Sequence, residues 1–66
     1  MRVYKTMGKD GIYVFLLVEY ETREGVKYKI FGEKYGYNGI NEKWRVGQNL
    51  NEETAKKIID ELIANA

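Results

Sequence analysis

Apolar and polar residues alternate with period two along the first two-thirds of the chain, in segments at about 2–8, 12–21, 26–37 and 40–46. That alternation, rich in Val, Ile, Tyr and Phe, predicts β-strands with one face turned inward. There is no proline, so Gly, Asn and Asp punctuate the pattern. Asp10-Gly11 predicts a two-residue type I′ hairpin turn, and Arg23-Glu24-Gly25 a three-residue loop with Gly25 left-handed. Asn38-Gly39 predicts a third turn, of two residues. Gly32 and Gly36 interrupt the third segment, the signature of a bulge or bend.

After Leu50 the period changes. Ile58, Ile59, Leu62 and Ile63 fall on one helical stripe. Asn51 is an N-cap, Glu52 and Glu53 sit where the helix dipole favours anions, and Leu50 and Ala55 occupy staple positions. Glu52/Lys56 and Glu53/Lys57 are i,i+4 pairs in the favourable order. These signals predict a helix over 52–64. The expected fold is α+β, a three- or four-stranded antiparallel β-meander with one C-terminal helix packed on one face. It forms a single domain over 1–66, with its sheet at about 2–46.

Turn lengths set the register, and register decides which side chains share a face. With the turns above, one face collects Val3, Met7, Ile12, Val14, Leu16, Val18, Tyr20, Val26, Tyr28 and Ile30, an aliphatic seat for the helix stripe. The opposite face collects Tyr4, Thr6, Tyr13, Phe15, Leu17, Lys27, Lys29 and Phe31, then Tyr35, Tyr37, Ile40, Trp44 and Val46. Seven of the nine aromatic residues then lie away from the helix. Soluble monomers rarely leave such a patch bare. Three arrangements would cover it: strands three and four curling over it, a nucleic acid, or a protein partner or second copy. Rings interleaved with Lys suit base stacking with phosphate neutralisation. The same residue types dominate protein hot spots. The expected contact residues are Tyr13, Phe15, Phe31 and Trp44 through their rings, and Lys27, Lys29, Lys43 and Arg45 through their charge.

Composition removes whole classes of chemistry. The 66 residues include no Cys, His or Ser. Disulfides, thiolate zinc sites and cysteine nucleophiles are excluded, as are histidine proton transfer and serine acylation. Thr22 and Thr54 have no base beside them, and Glu19 with Glu21 has neither nucleophile nor metal ligand for company. No Asp-x-Asp-x-Asp loop offers a calcium site. The glycine-rich run Gly32–Gly39 lacks the Gly-Lys-Ser/Thr ending of a phosphate loop. A non-enzymatic protein without metal or cofactor is expected.

Net charge is only +1. Residues 1–50 carry nine Lys/Arg against six acids, whereas residues 51–66 carry two against four, so a mildly basic body precedes an acidic segment. The apolar run Ile12–Val18 is too short to span a membrane. The N-terminal residues show no secretory h-region, and a cytoplasmic location is the expectation.

Two likenesses of layout bear on function. The stretch from Tyr13-Val14-Phe15 through Tyr20-Glu21-Thr22-Arg23-Glu24-Gly25-Val26-Lys27-Tyr28 to Leu50-Asn51-Glu52-Glu53-Thr54-Ala55 resembles arm-type DNA-binding domains of phage and transposon integrases. Residues 32–46 depart from that layout as an insertion. Trp44-Arg45-Val46-Gly47 is similar to a segment of small archaeal chromatin proteins, in which another hairpin follows where this chain begins its helix. Both likenesses imply DNA binding on an exposed sheet face. The function expected is therefore nucleic-acid binding through an aromatic and basic sheet face, the alternative being a protein-interaction module using the same face.

Overall fold

In the computed structural model, which describes all residues 1–66, the alternating segments form β1 (Arg2–Met7), β2 (Gly11–Thr22), β3 (Gly25–Gly36) and β4 (Asn41–Leu50). The helical stripe forms α1 (Glu52–Ala64). The strands pair in chain order, all antiparallel, as one four-stranded sheet. β1 and β4 remain its two edges, so strands three and four do not curl over to close it. β4 runs to Leu50, further than the sequence pattern reached. Two register shifts and a left-handed Asn49 at φ 56° bend its end toward the helix.

All three turns differ from the sequence expectation, and two of the differences are odd-numbered. At the first turn Gly8 donates to the Gly11 carbonyl at 2.8 Å, leaving Lys9-Asp10 as the loop in place of Asp10-Gly11. Gly11 is not left-handed, so the type I′ turn is not formed. Pairing moves by two, from Met7 opposite Val14 to Met7 opposite Ile12, and the faces are unchanged. At the second turn Thr22 pairs with Gly25, leaving a two-residue loop where three were expected. Thr22 Oγ1 accepts from the Glu24 N–H at 3.2 Å and donates to the Gly25 carbonyl at 2.8 Å, while Gly25 takes φ 111°. A hydroxyl bonded locally to backbone thereby selects the shorter loop. At the third turn Gly36 N–H bonds the Ile40 carbonyl at 2.9 Å around Tyr37-Asn38-Gly39, and Asn38 Oδ1 accepts from Ile40 N–H at 3.0 Å. That loop has three residues where two were expected.

Each one-residue difference turns a strand over relative to its neighbour. Tyr28 and Ile30 therefore lie opposite Glu19 and Leu17, not opposite Tyr20 and Val18. The helix sits on the face of Tyr4, Phe15, Leu17, Tyr28 and Ile30, correcting the expectation that it covers Val14, Leu16 and Val18. Phe15, Leu17, Tyr28 and Ile30 pack with Ala55 and Ile59 of α1 as the core, flanked by Tyr13, Val46, Leu50, Ile58, Leu62 and Ile63. The reason is area: Phe15, Tyr28 and Trp44 on one face offer the larger apolar seat.

Helix placement follows local chemistry. Asn51 Oδ1 accepts from Thr54 N–H at 2.8 Å, capping α1 where the sequence placed its start. The Tyr28 hydroxyl reaches Glu19 at 3.0 Å and Glu52 at 3.1 Å, holding the helix start against β2 and β3. A helix of thirteen residues is about 20 Å long, whereas the molecule extends 43 Å. Beyond the Tyr28–Leu50 pair, β2 and β3 continue as a two-stranded ribbon. The other sheet face has no element over it.

Candidate nucleic-acid interface

Register places side chains on the open face in rows across the four strands. One row reads Val3, Leu16, Phe31, Arg45 and the next Lys5, Val14, Glu33, Lys43. Val18 lies beside Lys29, and Tyr20 beside Lys27. Met7, Ile12, Tyr35 and Asn41 form the row toward the first turn. The centre is thus aliphatic, with Phe31 as its ring, and it is bordered by Lys5, Lys27, Lys29, Lys43 and Arg45. Glu33 is the one carboxylate on this face.

Of the eight contact residues expected from sequence, five meet here: Lys27, Lys29, Phe31, Lys43 and Arg45. The other three do not. Tyr13, Phe15 and Trp44 point to the helix side, Phe15 buried at 2% exposure and Trp44 half-covered at 38%. Phe15 and Trp44 meet edge to face at 6.4 Å, and Tyr13 lies 6.5 Å from Phe15. With Ile58 and Leu62 of α1 they line a groove of about 350 Å³ beside the helix. Gly32 makes room for Trp44: a Cβ there would lie 2.5 Å from the indole.

Charge divides between the two faces. The helix side carries Glu19, Glu21, Glu42, Glu52, Glu53, Asp60 and Glu61 against Arg2, Lys34, Lys56 and Lys57. Ion pairing follows the same division. Arg2 pairs with Glu52 at 3.8 Å, Lys56 with Glu52 at 4.0 Å, and Lys34 with Asp10 at 2.6 Å and Glu42 at 3.8 Å. None of the five open-face cations forms an ion pair. Arg45 donates only to the neutral Gln48 side chain, at 3.2 Å. The Lys29 ammonium lies 5.2 Å from the Tyr20 ring centre and 5.7 Å from that of Phe31, a cation–π arrangement.

Titration is perturbed on the helix side. The hydrogen bond from Lys34, with a second from Tyr13, lowers the Asp10 carboxyl. The hydrogen bond to Glu19, then burial and Glu52, push the Tyr28 hydroxyl up to about 12. Both groups brace strands and helix.

Sequence reasoning missed Lys5, Leu16, Val18 and Tyr20 as members of this face. The signal was in the turns: Thr22 and Asn38, whose side chains bond their own loops, set the parity of β3 and β4. No family model, curated protein or solved structure matches the chain.

Proposed function

We propose that the protein binds nucleic acid through the open sheet face, with Lys5, Lys27, Lys29, Lys43 and Arg45 contacting phosphates. The observation that carries the reading is the division of ion pairs. Every paired cation stands on the helix side, and five of the eight unpaired ones, Lys5, Lys27, Lys29, Lys43 and Arg45, border one uncovered apolar surface. Unneutralised Lys and Arg gathered on one face are the electrostatic footprint of a polyanion site. Glu19 and Glu21, which would oppose an anion on this surface, lie on the other face.

A protein partner is the second reading, favoured by the exposure of Val3 at 57% and Met7 at 73%. Charge constrains that partner. Two copies joined by this face would bring ten cations against two carboxylates, so a homodimer through it is opposed and a protein occupant must be acidic.

Binding to labelled oligonucleotides across a salt series tests the proposal. Five phosphate contacts give a slope of about −4.5 in log affinity against log salt, or about 500-fold weaker binding at 200 mM than at 50 mM. No binding at low salt refutes it, and binding only to an acidic protein surface selects the second reading.

A further inference from the structure

The open face distinguishes between a nucleic acid presenting bases and one presenting backbones. Single strands gain sequence-tolerant affinity by stacking bases on free aromatic rings. This face holds three rings, Tyr20, Phe31 and Tyr35, and each has a charged side chain beside it. Lys29 lies within cation–π distance of both Tyr20 and Phe31, at 5.2 and 5.7 Å. The Tyr20 hydroxyl also accepts from the Asn49 N–H at 2.9 Å, which fixes that ring. The Tyr35 hydroxyl donates to Glu33 Oε1 at 2.7 Å, which sets a carboxylate beside the third ring. Tyr13 and Trp44, the latter 38% exposed, belong to the helix side.

Three of the five cations, by contrast, stand on the two edge strands. Lys5 is on β1, and Lys43 and Arg45 are on β4, with Val14 and Glu33 or Leu16 and Phe31 between them. Three strand spacings separate those edges by about 14 Å. That is comparable to the major groove of B-form DNA, about 12 Å wide and flanked by two backbones. A single backbone needs one file of charge, whereas two backbones need cations on both edges.

Resting on the nucleic-acid reading, we infer that the partner is a DNA duplex held by its two backbones across the sheet, with little dependence on sequence. The face has charge where phosphates would lie, and each ring that a base would stack on already has a charged side chain beside it.

The test measures fluorescence anisotropy of a labelled DNA duplex and of one of its strands, at several salt concentrations. The proteins compared are the parent, Lys5→Ala and Lys43→Ala, with folding checked by circular dichroism. Both side chains are exposed and unpaired, so the variants retain the fold. The duplex is expected to bind more tightly than the strand. Each substitution, on either edge, should reduce the duplex salt slope by about 0.9, so that binding weakens about 3.5-fold less between 50 and 200 mM. A strand bound as tightly as the duplex overturns the inference while leaving nucleic-acid binding in place. So does an unchanged duplex slope in Lys5→Ala. Absence of binding to both overturns the proposed function as well.

Discussion

Gly32→Ala tests the register that places Trp44 on the helix side of the sheet. Gly32 pairs with Trp44 across β3 and β4, and the indole lies over the glycine. An added Cβ would meet Trp44 Cε2 at 2.5 Å, Cζ2 at 2.6 Å and Nε1 at 2.8 Å. Ordinary carbon contacts stand at about 3.5–4.0 Å, so the overlap is about 1 Å at three atoms. The indole must lift from the sheet, which weakens its edge contact with Phe15. Overpacking of this kind costs about 1–3 kcal/mol, and an aromatic pair contributes about 0.5–1.5 kcal/mol. Against this, Ala regains about 0.5–1 kcal/mol over Gly in a strand interior. Trp44 stands on an edge strand and can move, so a net loss of about 1–2 kcal/mol is expected. A chain this size has about 3–10 kcal/mol in total, and its melting temperature should fall by about 5–15 °C.

Thermal unfolding by circular dichroism reads the loss, and emission from the lone tryptophan reads its cause through a red shift. Gly47→Ala is the control, because its Cβ would meet only the Leu50 side chain, with Cδ1 nearest at 3.4 Å. An unshifted Gly32→Ala variant with unchanged Trp44 emission would refute the register. So would a Gly47→Ala variant destabilised as much as Gly32→Ala.

Replacing Asn51 by Ala removes the acceptor for the Thr54 N–H, and urea unfolding should show a loss of about 1 kcal/mol. The Tyr28 hydroxyl keeps its proton in the folded state up to about 12, whereas the unfolded chain releases it near 10. Its contribution is therefore complete below pH 10 and declines as pH rises from there to 12. Urea midpoints across that range should fall more steeply for the parent than for Tyr28→Phe, and parallel profiles would contradict this. Glu33→Gln removes the single carboxylate of the open face and keeps an acceptor for Tyr35. Nucleic acid should bind more tightly to this variant at low salt, with the advantage shrinking as salt screens it, and anisotropy titrations decide.

Much of the fold is legible in local sequence because its causes are local. Period-two alternation and the Gly, Asn and Asp punctuation reveal four strands. Asn51 and the stripe Ile58, Ile59, Leu62 and Ile63 mark a helix that forms over 52–64 as expected. The first hairpin keeps its predicted faces even though its loop moved, since a shift of two preserves alternation. Beyond it, each face assignment rests on loop parity. A hydroxyl at Thr22 and an amide at Asn38 decide between two and three residues, and these choices turn β3 over relative to β2 and β4 over relative to β3.

The candidate site shows the same division between local and tertiary causes. Sequence alone determined which residue types were available: nine aromatic rings, eleven Lys and Arg, and no Cys, His or Ser. It paired Lys27, Lys29 and Phe31 correctly because they alternate on one strand. It could not pair them with Lys43 and Arg45 on one open face, nor separate them from Phe15 and Trp44. Those relations cross hairpins, and an error of one residue in a loop inverts them. Only the tertiary structure decided which face the helix buries. It chose the face that offers Phe15, Tyr28 and Trp44 to its apolar stripe, and left the cations where water or a polyanion can reach them.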